Sequence, residues 1–235
     1  NIYNNKNFIL SENKNLKNFI NRLDTDKTII KLFRELKFKK YLLNEVNFFK
    51  KKFFKKKDTV LGVHLRSTTY KEAKNHAFPP SISIIFEEID RILKKDKYTK
   101  IFFVTEDAKY EKLIKKKYPN NSIFYKSFRS DKNEAFKIYP RKFHRFQLGK
   151  EIIIETLLLS SCSGILFTIS NVSSAASMLT KHKIKLYELN LGYNSSNKYL
   201  AKWMWYIKDL LPKNFGGLKV KSRIEKVIKF KNNQT

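Results

Sequence analysis

Short apolar runs alternate with longer segments of helical periodicity along most of this chain, beginning at residue 58. The apolar runs are typical of strands that are buried on both faces, and the segments between them repeat apolar residues every three or four positions. Parallel strands need a crossover connection, which is usually a helix. We therefore predict an α/β fold built on a Rossmann-like parallel sheet.

The predicted elements follow one another without an internal repeat. The predicted strands are VLGVHL (60–65), KIFFVT (100–105), SIFYK (122–126), GILFTI (164–169) and KIKLYELN (183–190). The predicted helices cover 81–95, 107–117, 148–162, 174–181 and 198–211. A further helical pattern spans 28–55, and 126–146 has no clear periodicity. We expect a helical segment over 1–57 and the Rossmann-like domain over 58–235.

The charge of the chain points towards an anionic partner but does not identify one. Lys and Arg number 50 against 21 Asp and Glu, so the formal net charge is +29. Only eight of these cations are Arg, and the lysines are dispersed, as they are on solvated helix faces. The single cysteine excludes an intramolecular disulfide and a cysteine-based metal cluster.

Polar residues stand where three of the predicted strands end. His64 and Arg66 end the first strand, Thr105 and Asp107 the second, and a Ser/Asn-rich turn at 170–174 follows the fourth. Ligands of open α/β sheets bind at the carboxyl ends of the strands. A helix N-terminus after such a turn offers backbone N–H groups to an anion, and a guanidinium offers a rigid fork to phosphate oxygens. The alternatives are an ordinary serine N-cap and an ion pair of Arg66 with Glu106 or Asp107.

The chain lacks the glycine-rich fingerprints GxGxxG and GxxxxGK[ST]. The sequence LDTD (23–26) resembles a DxD metal motif, but Asp24 and Asp26 precede a helical pattern and are better read as helix caps.

Three segments, taken together and in this order, resemble the GT-B fucosyltransferase superfamily. They are GVHLR (62–66), IFFVTEDAKYEKLIKKKYPN (101–120) and IIIETLLLSSCSGILFTISNVSSAASML (152–179). The resemblance is strongest to the α1,6-fucosyltransferases and their nodulation-type relatives, and weaker to the α1,2- and protein O-fucosyltransferases. It covers about 55–200, which would be the donor-binding domain, with 1–57 as the last piece of a longer acceptor domain.

The resemblance implies a role for each residue of a donor site. Arg66 would bind the diphosphate of GDP-fucose and stabilise the charge of the leaving group, and His64 would lie against the nucleoside or orient Arg66. Glu155 stands where relatives place an aspartate that binds guanine. The phosphate turn and the remaining lining would be formed by Ser170, Asn171, Val172, Ser173, Thr105 and Asp107. Ser67 departs from the α1,6 and α1,2 members, which carry a second Arg there.

The function implied is transfer of fucose, or a related deoxysugar, from a GDP-sugar to a glycan hydroxyl with inversion. No metal or other cofactor is expected, because protein cations and backbone dipoles stabilise the diphosphate. Glu72 is the candidate general base and His76 the second choice. The expected acceptor is an oligosaccharide or glycolipid, Lys50–Lys57 is a candidate for peripheral membrane contact, and the expected location is the cytoplasm, or the Golgi lumen in a eukaryote.

Two other functions are compatible with the sequence. A basic nucleic-acid-binding module would use the charge and the aromatic residues, although no recognition motif is present and we expect no nucleic acid partner. A relative that binds a nucleotide sugar without transferring it would keep the same donor site.

Overall fold

The computed structural model describes residues 31–33, 35–132 and 137–228, and these form one sheet with helices on both faces. The strands are β1 (Val60–Leu65), β2 (Lys100–Thr105), β3 (Ser122–Phe124), β4 (Gly164–Phe167), β5 (Ile184–Asn190) and β6 (Ser222–Ile228). The helices are α1 (Lys40–Phe53), α2 (Ile82–Lys95), α3 (Ala108–Lys117), α4 (His144–Leu159), α5 (Asn171–Leu179) and α6 (Lys198–Leu210). Short 3-10 turns cover Thr69–Lys71 and Lys213–Phe215.

The strand order confirms the predicted fold class. The sheet runs β3-β2-β1-β4-β5-β6, and the first five of these strands are parallel. The order reverses direction between β1 and β4, which is the position at which doubly wound sheets bind their ligands. β6 is antiparallel to β5 and was not predicted, because its side chains at the sheet edge are mostly half-exposed and give no apolar run.

Two apolar cores cover the two faces of the sheet, as the alternation of side chains in the strands requires. One core contains Phe102, Phe167 and Leu186 and packs against α1, α4 and α5. The other contains Phe103 and Tyr187 and packs against α2, α3 and α6. His64 lies on the first face, since its neighbours in the sheet are Val104 and Phe167.

A glycine in the centre of β1 allows α4 to approach the sheet closely. A Cβ atom on Gly62 would lie 2.8 Å from Leu159 Cδ2 and 3.1 Å from Cys162 Sγ. Both of these residues are fully buried in the core that α4 covers. The glycine therefore sets the distance between the sheet and the helix that forms one wall of the candidate site.

The predicted helix over 28–55 is interrupted in the structure, where residues 31–33 and 35 are helical. Residues 36–39 are not helical, and α1 begins at Lys40 and buries Leu42, Val46 and Phe49 in the same core as the sheet. The part of the prediction before residue 31, with Asp24 and Asp26, lies outside the described residues, and the domain boundary at residue 57 stays a prediction. None of the described helices has the length and apolarity needed to cross a bilayer.

Candidate functional site

A cleft opens beyond the carboxyl ends of β1, β2 and β4. One wall comes from the strand ends and α5, and the other from α4 and the segment that precedes it. The lining residues are His64, Arg66, Thr68, Thr69, Val104, Thr105, Glu106, Ser127, Phe128, Leu148, Glu151, Ile152, Glu155 and Val172. The cleft therefore brings together His64, Arg66, Thr105, Glu155 and Val172, all of which the sequence predicts for the site.

His64 is a neutral, fixed side chain at the base of the cleft. It is only 2 % exposed, and its Nδ1 lies 3.2 Å from the hydroxyl of Ser170. Burial and the adjacent Arg66 guanidinium lower the pKa of His64 to about 3. The imidazole can therefore offer a hydrogen bond or a flat surface to a ligand, and it adds no charge to the site at neutral pH.

Arg66 supplies the cation of the cleft. Its guanidinium stacks over the ring of Tyr70 at 4.3 Å, and its Nε lies 3.8 Å from Glu106 Oε1, too far for a hydrogen bond. Within the described part of the chain the buried Nε has no hydrogen-bond partner. The stacked plane holds the guanidinium in one orientation and leaves hydrogen-bonding capacity for a ligand.

Glu106 holds the loop that carries Arg66. One carboxylate oxygen accepts hydrogen bonds from the backbone N–H groups of Ser67 (2.9 Å) and Thr68 (3.3 Å) and from the Thr68 hydroxyl (3.2 Å). Ser67 itself is fully buried and donates to Asp107 Oδ2 at 2.7 Å. Ser67 therefore braces the loop from behind and does not face the cleft.

Asp107 has a structural position, although we expected it in the pocket. Its carboxylate accepts hydrogen bonds from the N–H groups of Lys109 (2.8 Å) and Tyr110 (3.2 Å) and so caps α3. Its own N–H donates to the Thr105 hydroxyl at 3.2 Å. Asp107 is buried and absent from the cleft lining, because both oxygens are used inside the fold. Thr105, its neighbour, does reach the cleft.

The N-terminus of α5 lies at the cleft beside His64. Ser170 is the N-cap, and its hydroxyl accepts from the Ser173 N–H at 3.2 Å within a capping box. Ser173 is fully buried by this exchange, and the Asn171 side chain is exposed, whereas Val172 lines the cleft. The N–H groups of Asn171 and Val172 belong to the first helical turn, where no intrahelical carbonyl is in reach. The turn can therefore offer backbone N–H groups and the positive end of a helix dipole to an anion.

The opposite wall carries two buried carboxyl groups one turn apart on α4. Glu155 accepts from the Ser127 hydroxyl at 2.5 Å and lies 3.7 Å from Arg129 Nη2. Burial raises the pKa of Glu155 to about 7, in spite of these two contacts. Glu151 forms a paired contact of 2.5 and 2.8 Å with Arg141.

Five lining residues of this wall were not predicted, and three of them, Ser127, Phe128 and Glu151, are polar or aromatic. Ser127 and Phe128 lie in the segment without periodicity, so the sequence shows no signal for them. Glu151 could have been found, because Glu151 and Glu155 are the only acids in an otherwise apolar helical run and stand four positions apart, on one face of the helix.

Glu72 and His76 lie beside the cleft and do not line it. Glu72 Oε1 accepts a hydrogen bond from the Tyr206 hydroxyl at 3.1 Å, which ties the loop to α6. His76 is exposed and contacts the edge of the Tyr70 ring, at 4.9 Å between centroids. Tyr70 thus lies between His76 and the Arg66 guanidinium.

The fold and this cleft define a class of protein. A parallel sheet of order 3-2-1-4-5, with a cleft that holds Arg66 and a helix N-terminus where the order reverses, is the arrangement of nucleotide-binding α/β domains.

Fucosyltransferases are among the solved structures that are similar to this chain. The NodZ α-1,6-fucosyltransferase co-crystallised with GDP has 17 % identity and a TM-score of 0.46, with 66 % of this chain and 46 % of NodZ covered. Arabidopsis thaliana FUT1 in complex with GDP has 12 % identity and a TM-score of 0.41, with 68 % and 35 % covered. POFUT1 with GDP-fucose has 12 % identity and a TM-score of 0.38, with 66 % and 45 % covered.

The identities of these proteins to this chain are 17 % or lower. The chain spans less than two thirds of the length of these proteins, between 35 and 63 %. No protein-family model and no curated protein matches the chain. Every TM-score lies below 0.5, so the function has to be argued from the residues of the cleft.

Proposed function

We propose that the chain is a glycosyltransferase whose cleft binds the nucleoside diphosphate of a GDP-sugar, with fucose or a related deoxysugar as the group transferred. One observation supports this proposal above the others. The Arg66 fork, the first turn of α5 and the neutral His64 meet in one cleft at the point where the strand order reverses. A diphosphate needs cations and N–H donors together, and this is the part of the cleft that can supply both.

In this proposal the diphosphate lies between Arg66 and the N-terminus of α5. The acceptor hydroxyl attacks the anomeric carbon from the side opposite the diphosphate, the bond from that carbon to the diphosphate oxygen breaks, and GDP leaves with the electron pair. Charge builds on the departing oxygen, and Arg66 with the α5 dipole stabilises it. No metal ion is needed for this role.

The base of the nucleotide would lie against the α4 wall. A carboxylate at Glu155 can accept hydrogen bonds from guanine N1–H and the 2-amino group together, whereas adenine has no such pair of donors. Ser127 and Arg129 both contact Oε1 of this buried side chain, so an adenine nucleotide would offer no donor to Oε2, which costs affinity. The proposal therefore includes selectivity for guanine nucleotides by at least about tenfold, or about 1.4 kcal/mol.

The acceptor proton needs a base, and Glu72 remains the proposed one. Its hydrogen bond from Tyr206 would orient the carboxylate. Under this proposal Glu72→Gln lowers kcat with little change in donor affinity, and Tyr206→Phe lowers kcat less. If His76→Gln abolished transfer while Glu72→Gln remained active, the general base would be His76 and not Glu72.

A binding and turnover panel tests the proposal. Thermal stabilisation by GDP, UDP, ADP and GDP-fucose is measured for the parent, and stabilisation grows as the ligand concentration exceeds the Kd. Arg66→Ala should lose the response to every diphosphate, whereas Arg145→Ala, which removes an exposed arginine also stacked on a tyrosine, should keep it. Release of GDP from GDP-fucose with an oligosaccharide acceptor then separates a transferase from a non-catalytic relative. Absence of any nucleotide response in the parent would contradict the proposal.

A further inference from the structure

The outer face of α6 is apolar and exposed, which is unusual for a surface helix. Leu210 is 86 % exposed and Trp203 is 67 % exposed. The face, here called the α6 outer face, consists of Tyr199, Leu200, Trp203, Tyr206, Ile207, Leu210 and Leu211. These residues recur at intervals of three and four, so they form a continuous stripe along about three turns of the helix.

The opposite side of α6 already supplies the packing that holds the helix on the domain. Ala201 and Trp205 are buried there, and Trp205 Nε1 donates to the Pro79 carbonyl at 2.7 Å. The apolar outer stripe therefore does not serve the core. Side chains on the solvent side of such a helix are normally charged or polar, so this stripe indicates contact with another apolar phase.

The charge around the stripe identifies that phase. Residues 198–221 contain six lysines and one acid, Asp209. Lys198 lies 5.0 Å from the Tyr199 ring centre, and Lys202 is exposed one turn further on. Tyr and Trp are the residues that favour the boundary between lipid headgroups and acyl chains, and lysines beside them attract anionic headgroups. A second copy of this chain would bring its own lysines to the same place, and the like charges would repel.

We propose that the α6 outer face docks the protein on an anionic lipid surface, with Trp203 and Leu210 inserted at the headgroup boundary. This inference does not depend on the proposed transferase function. It also differs from a contact through Lys50–Lys57, because α1 packs on the opposite face of the sheet from α6. One flat bilayer cannot contact both faces.

Docking in this orientation would place the loop after Arg66 close to the lipid. The Tyr206 hydroxyl of α6 donates to Glu72 at 3.1 Å. Asn194, which precedes the helix, donates from Nδ2 both to the Lys71 carbonyl at 3.2 Å and to the Ala201 carbonyl of α6 at 2.9 Å. The helix and the loop are thus bonded to each other. A headgroup-linked hydroxyl at the bilayer surface would therefore lie near the outer edge of the cleft.

The two tryptophans of the chain provide a direct test. Trp203 belongs to the α6 outer face, whereas Trp205 is 4 % exposed and packs in the core. Vesicles of phosphatidylcholine, with and without phosphatidylserine, are added at low and at high salt. We expect a blue shift of the emission and quenching by brominated acyl chains on the serine-containing vesicles. Both effects should disappear in Trp203→Phe, in which only Trp205 emits.

Co-sedimentation with the same vesicles supplies the affinity. We expect at least about tenfold weaker binding for the double variant Trp203→Ser/Leu210→Ser, because two large apolar contacts are lost. Phe48→Ser, which removes an exposed phenylalanine of α1, should bind as the parent does. Melting temperatures of all variants are measured so that unfolded protein is excluded from the comparison.

Four results would overturn the inference. The first is absence of binding to anionic vesicles, and the second is equal binding of the parent and the double variant. The third is a loss of binding in Lys51→Gln/Lys52→Gln while the double variant Trp203→Ser/Leu210→Ser binds normally. The fourth is protection of Trp203 from acrylamide quenching before any vesicle is added. The last result would mean that another segment or a second copy already covers the face.

Discussion

Replacement of Glu155 by glutamine tests the electrostatics of the cleft without changing its shape. In the folded protein, burial raises the pKa of Glu155 from 4.5 to about 7. Between these two pH values the folded protein keeps a proton that the unfolded chain has lost, so the contribution of Glu155 to stability falls as the pH rises through this window. Above about pH 7 the carboxylate is ionised in both the folded and the unfolded state, and the free-energy cost of burying its charge no longer changes with pH.

The size of the effect follows from the same two values. A pKa difference of one corresponds to about 1.4 kcal/mol, so the buried carboxylate destabilises the fold by about 3 kcal/mol above pH 7. Glutamine cannot ionise, and its carbonyl can still accept the hydrogen bond from Ser127. We therefore expect Glu155→Gln to equal the parent near pH 4.5 and to exceed its free energy of unfolding by up to about 3 kcal/mol near pH 8.

Urea denaturation of both proteins over this pH range measures the difference directly. Glu151→Gln is the matched control on the same helix, and it should be less stable than the parent because it loses its paired contact with Arg141. A constant difference between Glu155→Gln and the parent from about pH 4.5 to about pH 8 would refute the assignment of a raised pKa to this carboxyl group.

Nucleotide binding gives the second half of the same prediction. If the ionised carboxylate reads guanine, the ratio of GDP to ADP affinity rises about tenfold per pH unit below the pKa of Glu155 and levels off above about pH 7. The phosphates of the two ligands titrate alike, so their contribution cancels in the ratio. Titration calorimetry measures the ratio. A GDP preference that is independent of pH, or that survives in Glu155→Gln, would show that Glu155 does not bind the base.

Other residues and conditions give shorter tests. Arg66→Ala should lower the transfer rate by a factor on the order of 10²–10³ with an unchanged melting temperature. Arg66→Lys should recover little of the lost rate, since an ammonium group cannot replace the two-pronged guanidinium. Near-normal turnover in either variant would remove Arg66 from the site. Transfer should continue in EDTA at the same rate, and a loss restored by Mn²⁺ or Mg²⁺ would contradict the proposed mechanism. Glu188→Met should be more stable than the parent by about 1–3 kcal/mol near pH 9 in urea denaturation. Burial raises the pKa of Glu188 to about 8, and neither carboxyl oxygen has a hydrogen-bond partner among the described residues. Equal stability of the two proteins would mean that the carboxyl group is paired. Gly62→Ala should lower the free energy of unfolding by about 1–3 kcal/mol, because the added carbon meets Leu159 at 2.8 Å, and an unchanged value would show that α4 can move away.

Much of the secondary structure could be predicted from local patterns. The bounds of β1 and β2 match the predicted strands, because each is a continuous apolar run that ends in polar residues. Helix ends were less accurate. α4 begins at His144, where burial of His144 and Leu148 extends the helix into a stretch without periodicity. β6 could not be predicted, because an edge strand is held by backbone pairing with β5 and needs no apolar signature.

The polar strand ends determined which part of the chain would form a site. His64, Arg66 and the turn at 170–174 are visible in the sequence because their residue types interrupt buried strands, and parallel strands bring their carboxyl ends to one edge. The choice between neighbouring groups was made by the tertiary structure. Glu106 lines the cleft and Asp107 caps a helix, although the two are adjacent acids. The N-terminus of α3 is capped by the side chain of the residue directly before its first turn, and that residue is Asp107.

The sequence by itself therefore determined the class of fold and one wall of the cleft, since both depend on local apolar patterns and on strand ends. Only the tertiary structure decided the other wall. Glu155 faces the cleft, meets Ser127 and acquires a raised pKa because α4 packs closely over Gly62, an approach between segments almost a hundred residues apart. Contacts of this kind depend on how the helices cover the sheet, and no pattern within a single segment contains that information.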